Sequence, residues 1–213
     1  MTPAPPVIHV VDDDASFRTA VARLLQASGY HVALYESGDR LLKSPPGRDP
    51  GCILLDMQMS GLSGLELQDR LAKLDIILPI VFLTGHGDIP TSVRAIKAGA
   101  EDFLSKPVTK QTLLDAVERA LARYRESREQ RDRLSALRAL VATFTLRESE
   151  VFALVVRGKL NKQIAFELGT SERTIKAHRH NIMQKLQVRS IAEAVSIAER
   201  LGILAASSGG KNA

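Results

Sequence analysis

Five polar residues that could together handle a phosphoryl group each follow a short apolar run of the sequence. They are three carboxylates, a hydroxyl and an amine: Asp12, Asp13, Asp56, Thr84 and Lys106. In an open parallel sheet the carboxyl ends of the strands face one crevice, so we expect these distant residues to converge there. Mg²⁺ takes one or two carboxylates while it keeps waters and phosphate oxygens, and a lysine adds a mobile positive charge for phosphate. The set predicts magnesium-dependent phosphorylation of an aspartate.

The elements that must position these residues alternate between strand and helix. Apolar runs typical of strands occupy positions 7–11, 52–55, 80–83 and 103–104. Apolar residues recur at helical spacing over 16–27, 64–74, 91–98 and from 111 onward, with a weaker candidate at 37–43. This alternation predicts a doubly wound α/β fold with five parallel strands, in which Asp14 can cap the first helix.

Residues from about 7 to about 119 resemble the receiver domains of bacterial two-component response regulators, and segments 84–90 and 93–100 resemble the FixJ branch in particular. The resemblance implies a flavodoxin-like sheet with strand order 2-1-3-4-5. It implies that Asp56 accepts a phosphoryl group from a sensor histidine kinase. The other implied roles are Mg²⁺ binding by Asp12, Asp13, Asp56 and the Gln58 backbone carbonyl, phosphoryl contact by Thr84 and Lys106, and switching by the aromatic Phe103.

Two positions depart from the pattern of the FixJ branch. Ser60 stands where that branch usually carries proline, and Val108 stands where it usually carries phenylalanine after Lys106-Pro107. The resemblance also implies that the Lys106-Pro107 peptide bond is cis, which would aim the lysine amine into the crevice. Neither departure removes a group from the predicted chemistry, so we expect them to affect loop rigidity and helix docking.

Charge is divided unevenly along the chain. Residues 1–120 contain 12 Lys and Arg against 15 Asp and Glu, a net of −3, whereas residues 121–213 contain 17 against 9, a net of +8, which together give the overall +5. Basic charge confined to one half favours a phosphate-rich partner, and nucleic acid is the commonest such partner. The alternative is an ordinary solvated basic surface.

Cysteine usage and hydropathy indicate a cytoplasmic protein. Cys52 is the single cysteine and opens an apolar strand, so we expect a buried structural thiol and no internal disulfide. The first six residues contain no positive start or apolar core, and no apolar run approaches the roughly 20 residues that cross a bilayer. The sequence therefore predicts no membrane partner.

A charged segment separates the acidic half from the basic half. Residues 113–140 contain no glycine or proline, and residues 123–133 are almost all polar helix formers. This composition predicts an exposed connecting helix, and a disordered charged linker is the alternative. The predicted boundaries are a receiver domain at 1–121, a linker helix at 122–142, a DNA-binding domain at 143–206 and a flexible tail at 207–213.

The basic half carries the signatures of short capped helices. Capping-box patterns begin at Thr145 and at Ser190, and the first of these helices is expected to end near residues 157–158. Residues 161–168 predict a short helix that Gly169 closes, and Ser171 can cap a longer helix that reaches Leu186. Two helices around a glycine-containing turn are typical of a helix-turn-helix, here within an all-α domain of four helices.

The longer helix has two distinct faces. Ile175, Ile182 and Leu186 mark a core side that also carries His178. A second face carries donors around a small residue and suits the DNA major groove: Arg173, Lys176, Ala177, His180 and Gln184. An amphipathic helix with a solvated basic face is the plainer interpretation.

Residues 146–195 resemble the LuxR-type DNA-binding domain, through Thr145-Leu146-Arg147-Glu148, segment 161–165 and segment 174–186. A receiver joined to this domain is the NarL/FixJ architecture. By position the resemblance places Lys176, Ala177 and His180 near the bases and Arg173 and Arg179 near phosphate. It also implies dimerisation through the last helix, residues 191–201.

The function predicted from these observations is a non-enzymatic transcription regulator that phosphorylation of Asp56 switches. The expected partners are a sensor histidine kinase, promoter DNA, RNA polymerase and a second copy of the chain. A magnesium-dependent phosphohydrolase is one alternative, because Asp12 and Asp14 form a D-x-D pair after a strand. A DNA-binding protein with an inactive receiver scaffold is another.

Overall fold

The computed structural model describes residues 5–47, 49–85 and 89–204. The chain divides into two compact units, Met1–Arg128 and Glu129–Ala213. The predicted tail at 207–213 and positions 86–88 of the FixJ-like segment lie outside the described residues. Among the helices described, none combines the length and the apolar character needed to cross a membrane.

The first unit is built on a five-stranded parallel sheet in the order β2-β1-β3-β4-β5. Its strands are β1 Val7–Val11, β2 His31–Tyr35, β3 Gly51–Asp56, β4 Ile80–Thr84 and β5 Asp102–Ser105. Helices follow the strands in alternation: α1 Ala15–Ala27, α2 Gly38–Lys43, α3 Gly64–Lys73, α4 Ile89–Lys97 and α5 Lys110–Ala142. The doubly wound fold and its strand order are confirmed.

Helices cover both faces of the sheet, and alternate strand residues point to opposite faces. On β3, Cys52 and Leu54 pack in the cluster that α1 and α5 complete, whereas Ile53 and Leu55 pack in the cluster that α3 and α4 complete. Cys52 is completely buried, which raises the pKa of its thiol to about 12, so the expected burial of this thiol is confirmed.

Local signals at the strand ends set where two of the helices begin. The Asp14 carboxylate accepts the N–H groups of Ser16 and Phe17, so the predicted cap of α1 is confirmed. At the start of α3 the backbone packs against β3, because a Cβ on Gly64 would lie only 2.5 Å from the Asp56 carbonyl oxygen. These two helix starts bring α1 and α3 beside the carboxyl ends of β1 and β3.

Helix α5 includes the charged segment that the sequence places between the two halves. Its first part packs in the sheet unit through residues such as Leu113 and Val117. Its last part supplies Leu137, Leu140 and Val141 to the core of the second unit. The charged segment at residues 123–133 lies within this helix, so it is helical as the sequence predicts.

The second unit is all-helical, with α6 Leu146–Val155, α7 Asn161–Glu167, α8 Glu172–Leu186 and α9 Ile191–Arg200. The Thr145 capping box is confirmed, and Ser171 caps α8 as predicted. Helix α6 ends at Val155, just before the expected 157–158. Between α7 and α8 the chain turns through Gly169 at φ +61°, a left-handed conformation that favours glycine.

The predicted capping box at Ser190 forms only in part. The Ser190 hydroxyl accepts the N–H of Glu193, as a cap should. The return bonds of the Glu193 carboxylate, however, come from the Ser190 hydroxyl and from the N–H of Arg189. The predicted helix start at Ser190 is confirmed, and the nearest backbone N–H bonded by the carboxylate is that of Arg189 rather than that of Ser190.

Candidate functional site

Three carboxylates meet at the carboxyl ends of β1 and β3, as the sequence predicts. Asp12 and Asp13 directly follow β1, and Asp56 is the last residue of β3. One oxygen from each lies within 4.8 Å of the others. Asp12 and Asp56 are only 0% and 6% exposed, whereas Asp13 is exposed. Buried carboxylates at this spacing need a cation to compensate their charge.

Lys106 supplies positive charge directly to this cluster. Its Nζ lies 2.6 Å from Asp12 Oδ2 and 3.2 Å from Asp56 Oδ2. The Lys106-Pro107 peptide bond is cis, as expected, and the amine points into the crevice. The same ammonium lies 4.2 Å from the centroid of the Phe17 ring, within the range of a cation–π contact.

Backbone groups hold two of the carboxylates in fixed orientations. Asp12 Oδ1 accepts the N–H of Asp14 at 2.9 Å, and Asp56 Oδ1 accepts the N–H of Gln58 at 3.3 Å. The guanidinium of Arg18 donates to the Asp12 carbonyl at 2.6 Å, which ties α1 to the end of β1. The site is thus pre-organised by elements of several different strands and helices.

The electrostatic environments of the exposed and buried carboxylates differ. Burial raises the pKa of Asp56, the positive charge of Lys106 opposes that effect, and the negative charge of Asp12 adds to it. In contrast, the pKa of Asp13 is lowered, chiefly by the backbone N–H of Ser60, which donates to Asp13 Oδ2 at 2.8 Å. Asp13 is thereby favoured as a carboxylate at the rim of the site.

The remaining predicted residues of the first unit lie around this cluster. Thr84 ends β4, is completely buried, and accepts the Lys106 N–H on its backbone carbonyl at 2.6 Å. Phe103 is half-buried in β5 and packs in the cluster that α3 and α4 complete. Gln58 is exposed in the loop after β3, and its carbonyl remains a predicted metal ligand.

Three residues that contact the site were not predicted as site residues from the sequence. Phe17 and Arg18 fall within the helix predicted over residues 16–27, and the departure at Ser60 predicts only an effect on loop rigidity and helix docking. The Phe17 ring packs beside the first core cluster and also faces Lys106. Of these three residues, only Ser60 stands out in the sequence, because its residue type departs from the pattern that the chain resembles.

Helix α8 presents the two faces that its spacing predicts. Ile175, Ile182 and Leu186 are buried, and His178 on the same side is half-buried. The opposite face is exposed along its length: Arg173, Lys176, Ala177, His180 and Gln184. Three of these five exposed side chains are basic or imidazole donors, which suits a negatively charged groove.

Arg179 of α8 makes a hydrogen bond to another residue of the DNA-binding domain. It is half-buried, and one of its guanidinium nitrogens donates to Asn161 Oδ1 at 2.7 Å, which links α8 to the start of α7. A planar guanidinium has five N–H donors, so this bond leaves others for a phosphate. Its phosphate role remains a prediction.

An ion pair between Lys185 and the buried carboxylate of Glu148 fixes the carboxyl end of α8. Glu148 is only 3% exposed and accepts hydrogen bonds from Lys185 Nζ at 2.6 Å and from the N–H of Thr145 at 2.8 Å. Lys185 also donates to the carbonyl of Thr143 at 3.0 Å. The capping residue of α6 therefore also positions the helix that carries the exposed basic face.

Comparison with known families agrees with both halves of this description. Residues 8–118 match the response regulator receiver domain, and residues 142–198 match the bacterial regulatory proteins of the luxR family. This chain is a response regulator. It joins a receiver domain to a LuxR-type DNA-binding domain, the architecture of its transcription-regulating relatives.

Relatives of this response regulator are similar over nearly its whole length. Nodulation protein W of Bradyrhizobium diazoefficiens is 44% identical over 93% of this chain and 88% of its own. The transcriptional regulatory protein FixJ of Azorhizobium caulinodans is 38% identical over 92% and 93%. Among solved structures, the response regulator StyR is 47% identical, with a TM-score of 0.79, over 92% of this chain and 100% of its own. Full-length FixJ from B. japonicum is 37% identical, with a TM-score of 0.58, over 95% and 100%.

The structure and the family both argue against the phosphohydrolase alternative. That alternative requires Asp14 as an acid beside Asp12, yet the Asp14 carboxylate is occupied as the cap of α1. It also leaves Asp56 beside Lys106 without a role, whereas the resemblance to receiver domains predicts a role for both residues. Response regulators of this architecture are a class of transcription regulators.

Proposed function

We propose that this response regulator controls transcription through phosphorylation of Asp56 by a sensor histidine kinase. The observation that carries the proposal is the position of Lys106 Nζ, 3.2 Å from Asp56 Oδ2, within a cluster of three carboxylates. A carboxylate held beside an ammonium in a nearly buried crevice can receive a phosphoryl group whose negative charge the ammonium then balances.

In the phosphoryl transfer an oxygen of Asp56 attacks the phosphorus of a phosphohistidine. The new O–P bond forms as the P–N bond breaks, and the imidazole leaves with the bonding pair. Because Asp56 must attack as a carboxylate, its neighbour Lys106 matters: the ammonium opposes the rise in pKa that burial causes. Thr84, which ends the neighbouring strand β4, is proposed to contact the transferred group.

The carboxylates also fit a hard divalent cation. Asp12, Asp13 and Asp56 supply oxygen ligands within 4.8 Å of one another, and the Gln58 carbonyl is proposed as a further ligand. When bound, Mg²⁺ neutralises the charge that develops on the phosphoryl oxygens. Asp12 and Asp13 would hold the ion, while Lys106 balances the charge of the Asp12 and Asp56 carboxylates.

Phosphorylation is proposed to change the receiver surface through the two strands after Asp56. A phosphoaspartate adds charge and acceptor oxygens where Lys106 now contacts Asp12. Lys106 and Thr84 then turn toward the new group, and the half-buried Phe103 turns inward with them. The altered α4 and β5 surface would let two receivers pair with two-fold symmetry.

Pairing of receivers is proposed to place two DNA-binding domains on adjacent half-sites of a promoter. Lys176, Ala177 and His180 would read base edges in the major groove, and Arg173 and Arg179 would contact phosphate. The last helix, α9, is proposed as the contact between the two DNA-binding domains. The bound dimer would then act on RNA polymerase at the promoter.

Acetyl phosphate with Mg²⁺ tests the central step. The wild-type chain is expected to gain one phosphoryl group by intact mass, and Asp56→Asn is expected to gain none. Asp39→Asn, at an exposed aspartate of α2 that is not part of the cluster, is the matched control and should be labelled as wild type is. Persistent labelling of Asp56→Asn, particularly at Asp12, would refute the assignment and favour the phosphohydrolase.

A further inference from the structure

Ser60 makes a contact that a proline in its place would prevent. Ser60 is exposed in the loop between β3 and α3, and its backbone N–H donates to Asp13 Oδ2 at 2.8 Å across 47 residues of sequence. Proline has no backbone N–H and cannot make this bond. At position 60 the sequence departs from the FixJ-like pattern that it resembles, which usually carries proline there.

Asp13 is the member of the carboxylate cluster that most needs an anchor. Asp12 is fixed by Lys106 and by the N–H of Asp14, and Asp56 by Lys106 and the N–H of Gln58. Asp13 is exposed, and the hydrogen bond to its carboxylate comes from Ser60. Without that bond an exposed aspartate samples several staggered rotamers, and only some of them aim its oxygens at the cluster.

The same bond also holds the loop that carries the proposed carbonyl ligand. Gln58 lies two residues before Ser60, and its N–H donates to Asp56. The segment from Asp56 to Ser60 is therefore fixed at one end by Asp56 and at the other by Asp13. A carboxylate has about four acceptor positions, so one hydrogen bond at Oδ2 leaves the others available to a cation.

We propose that the Ser60 backbone N–H is a positioning group that holds Asp13, and with it the Gln58 loop, ready to bind a divalent cation. The proposal rests on the proposed function, because Asp13 and Gln58 are metal ligands only there. Hydrogen bonds from backbone groups to ligating carboxylates commonly tune metal sites in this way.

The test is a calorimetric Mg²⁺ titration of the full, unphosphorylated chain and two variants of Ser60. Ser60→Pro removes the N–H and is expected to weaken Mg²⁺ binding by about tenfold, the low end of the usual loss when such a partner is removed. Ser60→Ala removes only the hydroxyl, which lowers the pKa of Asp13 less than the N–H does. Because the N–H is kept, the Mg²⁺ affinity of this variant should stay within about twofold of wild type. Weakened Mg²⁺ binding by Ser60→Pro together with near-normal binding by Ser60→Ala would assign the effect to the backbone N–H.

Three outcomes are informative in different ways. Equal Mg²⁺ affinity for wild type and Ser60→Pro, or tighter binding by Ser60→Pro, overturns the inference but leaves the proposed function intact. An equal loss in Ser60→Ala also overturns it, because the hydroxyl would then be responsible. A wild-type chain that binds no Mg²⁺ defeats the metal site of the proposed function itself, and this inference with it.

A second measurement decides the matter if Ser60→Pro does not fold. In the wild-type chain without Mg²⁺, the Ser60 amide is expected to exchange its hydrogen slowly because Asp13 accepts it. Asp13→Ala should accelerate exchange at Ser60 by about tenfold or more, since a hydrogen bond to a charged group is lost. Unprotected exchange at Ser60 in the wild type would overturn the inference.

Discussion

Lys106 lies closer to Asp12 than to Asp56, with Nζ at 2.6 Å from the former carboxylate and 3.2 Å from the latter. In the absence of phosphate, the lysine therefore balances the charge of the completely buried Asp12 as well as that of the phosphoacceptor. A phosphoryl group on Asp56 would compete with Asp12 for the same ammonium. Movement of the Lys106 ammonium from Asp12 to the phosphoryl group would be the first step of the proposed conformational change.

Lys106→Ala should separate phosphorylation from its consequences. Asp56 is still present, so labelling by acetyl phosphate should remain possible, although slower because no ammonium opposes the rise in the pKa of Asp56. Receiver pairing and promoter binding should no longer respond to the label. Intact mass, sedimentation and promoter binding on one preparation measure the three steps. Lys110→Ala, at the exposed start of α5, is the control and should behave as wild type. A Lys106→Ala protein that still pairs on phosphorylation would remove the lysine from the switch.

The convergence of the phosphoryl-handling residues could be predicted because it depends on local pattern and one topological rule. Apolar runs define the strands, and a parallel sheet brings the carboxyl ends of its strands to one edge. Asp12, Asp56 and Thr84 each end or follow a strand, so their meeting needs no knowledge of side-chain packing. Their strand bounds agree with the sequence to within a residue.

Contacts between residues far apart in sequence could not be predicted in this way. Helical or strand periodicity assigns a side chain to a face but does not identify its partner there. Ser60 meets Asp13 across 47 residues, and Glu148 meets Lys185 across 37. Gln68 illustrates the same limit: it is polar, yet it is buried on α3 and donates to the Ala98 carbonyl at the end of α4, at 3.1 Å.

The Glu148–Lys185 ion pair predicts how acid affects the DNA-binding domain. The hydrogen bond from Lys185 is the main cause of the lowered pKa of Glu148, so the folded state favours its carboxylate form. The resulting stability is present above the ordinary pKa of 4.5 and is lost as pH falls through the lower, folded value. The urea concentration at which α8 is half unfolded can be measured from its amide NMR resonances. It should therefore fall as the pH is lowered below 4.5.

Glu148→Gln should lower that midpoint at neutral pH and weaken its dependence on acid, because the variant has no carboxylate to protonate. Glu150→Gln is the matched control on the same helix, since Glu150 pairs with Arg147 at an exposed position and such pairs contribute little. Equal effects of the two variants would show that the buried pair has no special part in holding α8.

Arg179 and Asn161 allow a phosphate contact to be told apart from a contact within the domain. If Arg179 touches DNA phosphate, Arg179→Ala should weaken binding to all sequences and reduce the slope of log affinity against log salt by about one unit. Asn161→Ala removes the partner of the guanidinium but no positive charge, so it should leave the slope unchanged. A common loss of affinity in both variants without a change of slope would assign Arg179 to positioning α7 against α8.

Substitutions on the buried and exposed faces of α8 should have different effects. Ile182 is 3% exposed, so Ile182→Ala should cost about 2–5 kcal/mol of domain stability through the lost contacts and the cavity left behind. Lys176 and His180 are exposed, so Lys176→Ala and His180→Ala should melt as wild type does. Each should weaken promoter binding by about 1–3 kcal/mol if its side chain reads a base. Thermal melts and promoter titrations at one salt concentration measure both quantities. Early melting of Lys176→Ala or His180→Ala, or their unchanged promoter binding, would show that the recognition face lies elsewhere.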